Sequence, residues 1–165
     1  MRRIKPIKPQ PGQESVWAYP RPAVVRPTDK ELVVVFDGQV IAKTTRGHRV
    51  LETSHPPTYY IPLEDVMPSI LREQPRRTMC EWKGECVYLD VVLGDRVASP
   101  GAWRYDKPTA PFSVIQNSVG FYAGEMDVCT VDGETVTPQE GDFYGGWITK
   151  DVVGPFKGPP GTWGW

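Results

Sequence analysis

No stretch of this chain is long and apolar enough to cross a bilayer as a helix. The longest purely aliphatic and aromatic run, Leu32-Val33-Val34-Val35-Phe36, falls far short of the roughly 20 residues such a helix needs. The N-terminus is basic through Arg2, Arg3, Lys5 and Lys8 but lacks the apolar segment of a secretory leader. The three cysteines, Cys80, Cys86 and Cys129, are an odd number, and no pair has the two-residue spacing of a structural zinc site. Histidine is scarce, with only His48 and His55. These absences predict a soluble, cytoplasmic protein with reduced thiols, no membrane association, no metal and no cofactor. The Walker loop, the Gly-x-Ser-x-Gly elbow and His-Glu-x-x-His are missing too, and Gly145-Gly146 alone is too little to cradle a phosphate.

What is present is turn chemistry. The chain of 165 residues carries 18 prolines and 16 glycines, which predicts many turns and few long helices, and its length suits one domain that folds without a staple. The formal net charge is −1, but no acid precedes Glu14, so the body is acidic and the start basic. An acidic body argues against a broad nucleic-acid face, which needs clustered Lys and Arg on phosphates. Pro6, Pro9 and Pro11 suit a solvated polyproline II segment, so residues 1–14 read as a flexible basic tail.

Three hairpins are legible. Residues 32–36 and 39–42 flank Asp37-Gly38, a type I′ pair that sets Val35 opposite Val40. Residues 87–93 and 96–98 flank Gly94-Asp95, a type II′ candidate, and residues 128–131 and 134–136 flank Asp132-Gly133. Along the second hairpin, Val87, Leu89, Val91 and Leu93 share one face by the two-residue period and are predicted core. Cys86, Tyr88, Asp90 and Val92 share the other, which is freer to line a site. One short helix is expected over residues 63–73, with Glu64 and Asp65 at its start and Arg72 at its end, although Pro68 interrupts it. The fold class is therefore mainly β, antiparallel sheets built from hairpins with one short helix, over residues 15–137. Residues 138–165, rich in Gly, Pro and Trp, read as an extension that packs on the domain or on a partner, a second copy of the chain included, because their aromatics have large areas to bury.

Two groups of residues can carry chemistry. In Cys80-Glu81-Trp82-Lys83-Gly84-Glu85-Cys86, Gly84 closes a three-residue hairpin loop, Cys80 is expected opposite Cys86, and Lys83 can favour a thiolate. An inert pair beside a tight turn is the competing account. The second group is an excess of aromatics near cations: Arg46, Arg49, Tyr59, Tyr60, Lys83, Tyr88, Trp103, Arg104 and Tyr105. Aromatic walls with one or two cations suit a flat or anionic ligand, and they equally suit the core and rim of a small β domain.

At these residues the chain resembles the family of domain of unknown function 427, sometimes labelled nucleotidyltransferase, over residues 15–137. The resemblance is carried by Trp17-Ala18-Tyr19-Pro20-Arg21-Pro22, Gly38-Gln39-Val40-Ile41-Ala42, Arg49-Val50-Leu51-Glu52-Thr53 and His55-Pro56-Pro57-Thr58-Tyr59-Tyr60-Ile61-Pro62. It continues through Asp65-Val66, Cys80-Glu81-Trp82-Lys83-Gly84, Tyr88, Ala102-Trp103-Arg104-Tyr105 and Pro108. The segment after residue 140 is similar to that of the cyanobacterial branch. The resemblance implies a β-tent-like fold, similar to methionine sulfoxide reductase B and to cereblon's ligand-binding domain, and implies no mechanism. The zinc of some relatives is not carried over, because their closely spaced cysteine pairs are absent, and no paired Asp-x-Asp behind a Gly-Ser loop supports phosphoryl transfer.

The leading expectation is a small-molecule site, binding or catalytic, on the face carrying Tyr88. Tyr60, Trp103 and Tyr105 roof it, and Arg46 and Lys83 complete it. If it is catalytic, Glu52, Lys83 and Cys80 are the acting groups, with Glu52 and Lys83 shifting each other's proton affinity towards neutral pH. The alternatives are a non-catalytic protein-interaction module that uses the aromatic extension, and thiol redox chemistry at Cys80.

Overall fold

Local turn residues fix the order of strands along the chain. The computed structural model describes residues 3–141 and 143–165. β1 (Glu14–Ser15) enters a 3₁₀ turn at Val16–Ala18, where Trp17 N donates to Ser15 Oγ at 3.2 Å. After β2 (Val24–Thr28), β3 (Leu32–Phe36) and β4 (Gln39–Thr44) form the expected hairpin: Asp37 and Gly38 take φ of 52° and 71°, and Val35 faces Val40. β5 (Gly47–Leu51) and β6 (Thr58–Pro62) follow, and then β7 (Leu71–Cys80), β8 (Gly84–Leu93) and β9 (Arg96–Arg104) form a meander. Its second turn has Gly94 at φ 59° with Leu93 opposite Arg96, as a type II′ hairpin requires. β10 (Ser118–Phe121) precedes the third hairpin, β11 (Val128–Val131) and β12 (Glu134–Thr135), which turns at Asp132 and Gly133 with φ of 47° and 80°. The short strands β13 (Thr137–Pro138), β14 (Trp147–Ile148) and β15 (Val152–Val153) complete the chain.

Two main antiparallel sheets result, one of seven strands in the order β2-β5-β6-β10-β9-β8-β7 and one of four in the order β12-β11-β3-β4, beside the two-stranded pairs β13-β14 and β1-β15. The protein is mainly β, built from hairpins, as expected. Among the described residues no helix is long and apolar enough to cross a membrane.

The expected helix over residues 63–73 is helical only in its first turn. Leu63–Asp65 is a 3₁₀ turn, Val66 bridges to Ala42, Met67 N donates to Ile41 O at 2.7 Å, and Ser69 takes φ 66°. From Leu71 the chain is strand, with Leu71, Arg72 and Glu73 opposite Val91, Asp90 and Leu89. Pro68 explains the correction, because it drives Met67 out of the helical region and has no N–H to continue the ladder. β4 and β8 supply the backbone partners a helix would have supplied.

Alternation divides the seven-stranded sheet into two faces. Tyr59 and Ile61 of β6, Val87, Leu89 and Val91 of β8 and Ala102 of β9 join Leu32, Val34 and Phe36 of β3 and Cys129 and Val131 of β11 in the main core. The intervening residues Tyr60, Cys86, Tyr88 and Trp103 form a second cluster on the opposite face with Tyr105, Phe112 and Ile115. Both ends of the chain wrap this body. Trp147 is 1% exposed, stacks on Tyr59 with ring centroids 5.2 Å apart, and donates from Nε1 to Phe121 O at 3.0 Å. β1 pairs in parallel with β15, Ile7 N donates to Gly154 O at 2.8 Å, and the Trp17 and Trp165 rings lie 5.5 Å apart.

Candidate functional site

A cavity of about 340 Å³ opens on the face of the seven-stranded sheet turned away from the main core. It is walled by the β5–β6 loop with Glu52 and His55, by Tyr60, by the β7–β8 tip with Cys80 and Lys83, by Cys86 and Tyr88, by Trp103 and Tyr105, and by Gln139, Tyr144 and Lys157 from the C-terminal extension. Seven of the eight expected site residues meet here. The exception is Arg46, which sits in the β4–β5 turn, exposed, with Glu64 at 3.0 Å and Asp65 at 3.1 Å. Arg46 borders a separate hollow of about 750 Å³ in which Arg49 is paired with Glu14 at 3.1 Å and Lys30 with Asp151 at 2.7 Å, so its cations are already neutralised. Tyr59 belongs to the main core, and Arg104 is held by Glu73 and Asp106.

The aromatic wall is fixed by one indole. Trp103 donates from Nε1 to the Tyr60 hydroxyl at 3.1 Å and lies 4.6 Å from the Tyr122 ring. Gly120 and Gly145 flank it, and a Cβ at either position would collide with the indole. The Tyr88 hydroxyl meets Thr78 Oγ1 at 2.9 Å, and the Arg76 guanidinium lies 4.5 Å from the Tyr88 ring centroid. Burial pushes the Tyr88, Tyr105 and Tyr122 phenols above the ordinary tyrosine value, so this wall presents neutral hydroxyls at physiological pH.

The charged side is built by two loops. In the β5–β6 loop, Ser54 at φ 73° turns the chain so that His55 N donates to Glu52 O at 3.1 Å, and His55 Nε2 meets Glu52 Oε2 at 3.0 Å. Gln139 fixes the imidazole from the far side. Its Oε1 accepts from Gly146 N at 3.1 Å, so its Nε2 is the donor to Lys157 O at 2.8 Å and to His55 Nδ1 at 3.2 Å. His55 therefore accepts at Nδ1 and donates from Nε2 to Glu52. Burial works against the Glu52 carboxylate, but His55, Lys83 and Arg21 outweigh it and hold the group below the usual glutamate value.

Lys83 stands on the β7–β8 tip, half-buried, with Nζ 5.4 Å from the Tyr105 ring centroid. Thr109 N donates to Lys83 O at 3.0 Å and Thr109 Oγ1 to Trp82 O at 2.6 Å, which anchors the tip. Burial opposes the ammonium, yet Tyr60, Cys80 and Glu52 outweigh it, so Lys83 lies above the ordinary lysine value. Glu52 and Lys83 thus move away from neutrality, not towards it. The thiols also differ from expectation. With Glu81, Trp82 and Lys83 in the loop, Cys80 pairs with Gly84 and Cys86 with Thr78, so the cysteines are diagonal neighbours on one face, not opposite each other. Burial pushes the Cys86 thiol up.

His55, Gln139, Tyr144 and Lys157 were not singled out from sequence as site residues. Their signals were the scarcity of histidine, the place of His55 in a segment that carries the family resemblance, and the Gly145-Gly146 pair, whose use here is clearance: Gly145 admits the Trp103 indole, and a Cβ at Gly146 would meet Gln139 Oε1 at 2.5 Å.

Two main antiparallel sheets, and an aromatic cavity bearing a lysine whose ammonium has no hydrogen bond or ion pair among the described residues, define a mainly β protein. The chain belongs to the family described as domain of unknown function (DUF427), whose profile matches residues 24–132, more than half of its length. No curated protein matches it. The family match ends before Gln139, Tyr144 and Lys157.

Proposed function

We propose that this protein binds a small, flat, anionic molecule in the cavity, with Lys83 as counter-ion and Tyr60, Tyr88, Trp103 and Tyr105 as the aromatic wall. The observation that carries this is Lys83 itself: a half-buried ammonium facing a cavity, with no hydrogen bond or ion pair to it among the described residues. Such an ammonium, held above the ordinary lysine value and without such a partner, is a counter-ion for a bound anion. Recognition fits the protonation states better than acid–base catalysis, since a group that transfers protons works best with a pKa near the operating pH and both Glu52 and Lys83 are displaced from it. Native mass spectrometry of freshly purified protein, followed by thermal shift against planar carboxylates, tests the proposal. A retained small molecule, or a rise in Tm that Lys83→Met abolishes, is expected. The absence of both would overturn it.

The exposed extension supports a second reading, docking to another protein. Trp163 is 70% exposed and Phe143 60% exposed, although neighbouring aromatics are packed. Loss of a co-purifying protein in Trp163→Ala, with the Lys83→Met variant retaining it, would favour this reading over the first.

A further inference from the structure

We infer that the ligand is a zwitterion with a planar side chain, such as an aromatic α-amino acid, whose carboxylate meets Lys83 and whose ammonium meets Glu52. The inference rests on the cavity being a small-molecule site and concerns what that site selects. Of the charged residues that line the cavity, Glu81 is exposed and Lys157 Nζ donates to Trp165 O at 3.4 Å, which leaves two opposite charges from different elements, Glu52 from the β5–β6 loop and Lys83 from the β7–β8 tip. They lie close enough for each to bias the other's protonation, yet no ion pair joins them among the described residues.

Glu52 spends Oε2 on His55, and its Oε1 makes no hydrogen bond among the described residues. Gln139 holds the imidazole from behind and the imidazole holds Oε2, so Oε1 is left to accept from a ligand. An acceptor and a donor of full charge thus line one cavity with an aromatic floor, and no ion pair joins them among the described residues. A simple anion would satisfy Lys83 but leave its other side against Glu52, at a like-charge penalty. A simple cation would do the reverse with Lys83. A molecule carrying both charges a short distance apart satisfies both groups, and its ring can lie on Trp103 and Tyr60.

Three indole compounds separate these cases by calorimetry on the full chain: L-tryptophan, indole-3-propionate, which lacks the ammonium, and tryptamine, which lacks the carboxylate. Tryptophan is expected to bind at least about 10-fold more tightly than either analogue, the loss typical of one charge-assisted hydrogen bond. Glu52→Gln should bring tryptophan down to the affinity of indole-3-propionate, and Lys83→Met to that of tryptamine. The comparison of ligands needs no variant, so poor folding of either variant leaves the test intact. Indole-3-propionate binding as tightly as tryptophan would overturn the zwitterion and leave the anion-binding cavity standing. Tryptamine binding as tightly would overturn both the zwitterion and the role of Lys83, and no binding of any of the three would remove the cavity proposal as well.

Discussion

At the scale of single residues, the site depends on two missing side chains. Trp103 passes between Gly120 and Gly145, and each leaves room that a methyl group would fill. Gly145→Ala is expected to cost about 1–3 kcal/mol by overpacking, seen as a fall in Tm of roughly 2–4 °C per kcal/mol, and to weaken ligand binding by displacing the indole. Gly164→Ala, where a Cβ meets nothing within 4 Å, is the control and should leave both unchanged. Tyr60→Phe removes the acceptor of the buried Trp103 N–H, and a loss of about 1–3 kcal/mol in urea unfolding is expected. The tyrosines, Trp103 and Lys83 were legible from sequence because strand alternation and a hairpin tip give each an address. Arg46 had only its composition to recommend it, and the β4–β5 turn carries it elsewhere, to Glu64 and Asp65. His55 and Gln139 are 84 positions apart, and nothing local in the chain announces that they touch.

At the scale of elements, turns were legible and pairings were not. Asp37-Gly38, Gly94-Asp95 and Asp132-Gly133 carry their conformations in their own residues, so all three hairpins could be read. Residues 63–73 imitate a helix in charge order, but the strand they enter is defined by β8, and no local signal outranks that partner. The Cys80–Cys86 pairing failed by register: a three-residue loop sets residue 80 against 84 and residue 78 against 86. The junction between the β2–β3 connection and the extension is set by Asp151, which binds Lys30 at 2.7 Å and accepts from Thr149 Oγ1. Burial opposes its carboxylate, but Lys30 and Thr149 hold it below the ordinary aspartate value of 3.8. A depressed folded pKa stabilises fully above the unfolded value and is lost as the pH falls through the folded one. At pH 7, Asp151→Asn should therefore be less stable than wild type by about 1 kcal/mol, the upper range for a partly exposed pair. Thermal denaturation should show the gap closing as the pH is lowered below 3.8. A gap that stays constant with pH would mean the carboxylate plays no part.

At the scale of the whole molecule, the extension is part of the fold it wraps. Trp147 fills the main core against Tyr59, so Trp147→Ala should cost about 3–5 kcal/mol by denaturant titration, comparable to losing a central core residue. A chain cut after residue 137 should lose this indole together with the Gln139 support of His55, and it should show a lower denaturation midpoint and no tryptophan binding. The aromatic area of this segment was legible in the sequence; which ring Trp147 would cover was not, since that depends on sheet order. The parallel register of β1 with β15 has a mechanical consequence. Tension drawing the two ends of the polypeptide apart pulls these strands lengthwise past each other, so their hydrogen bonds are loaded together in shear instead of being peeled one at a time. In an optical trap, the protein should yield in one abrupt rupture when pulled by its ends, and should unzip at lower force when pulled across the β7–β8 hairpin.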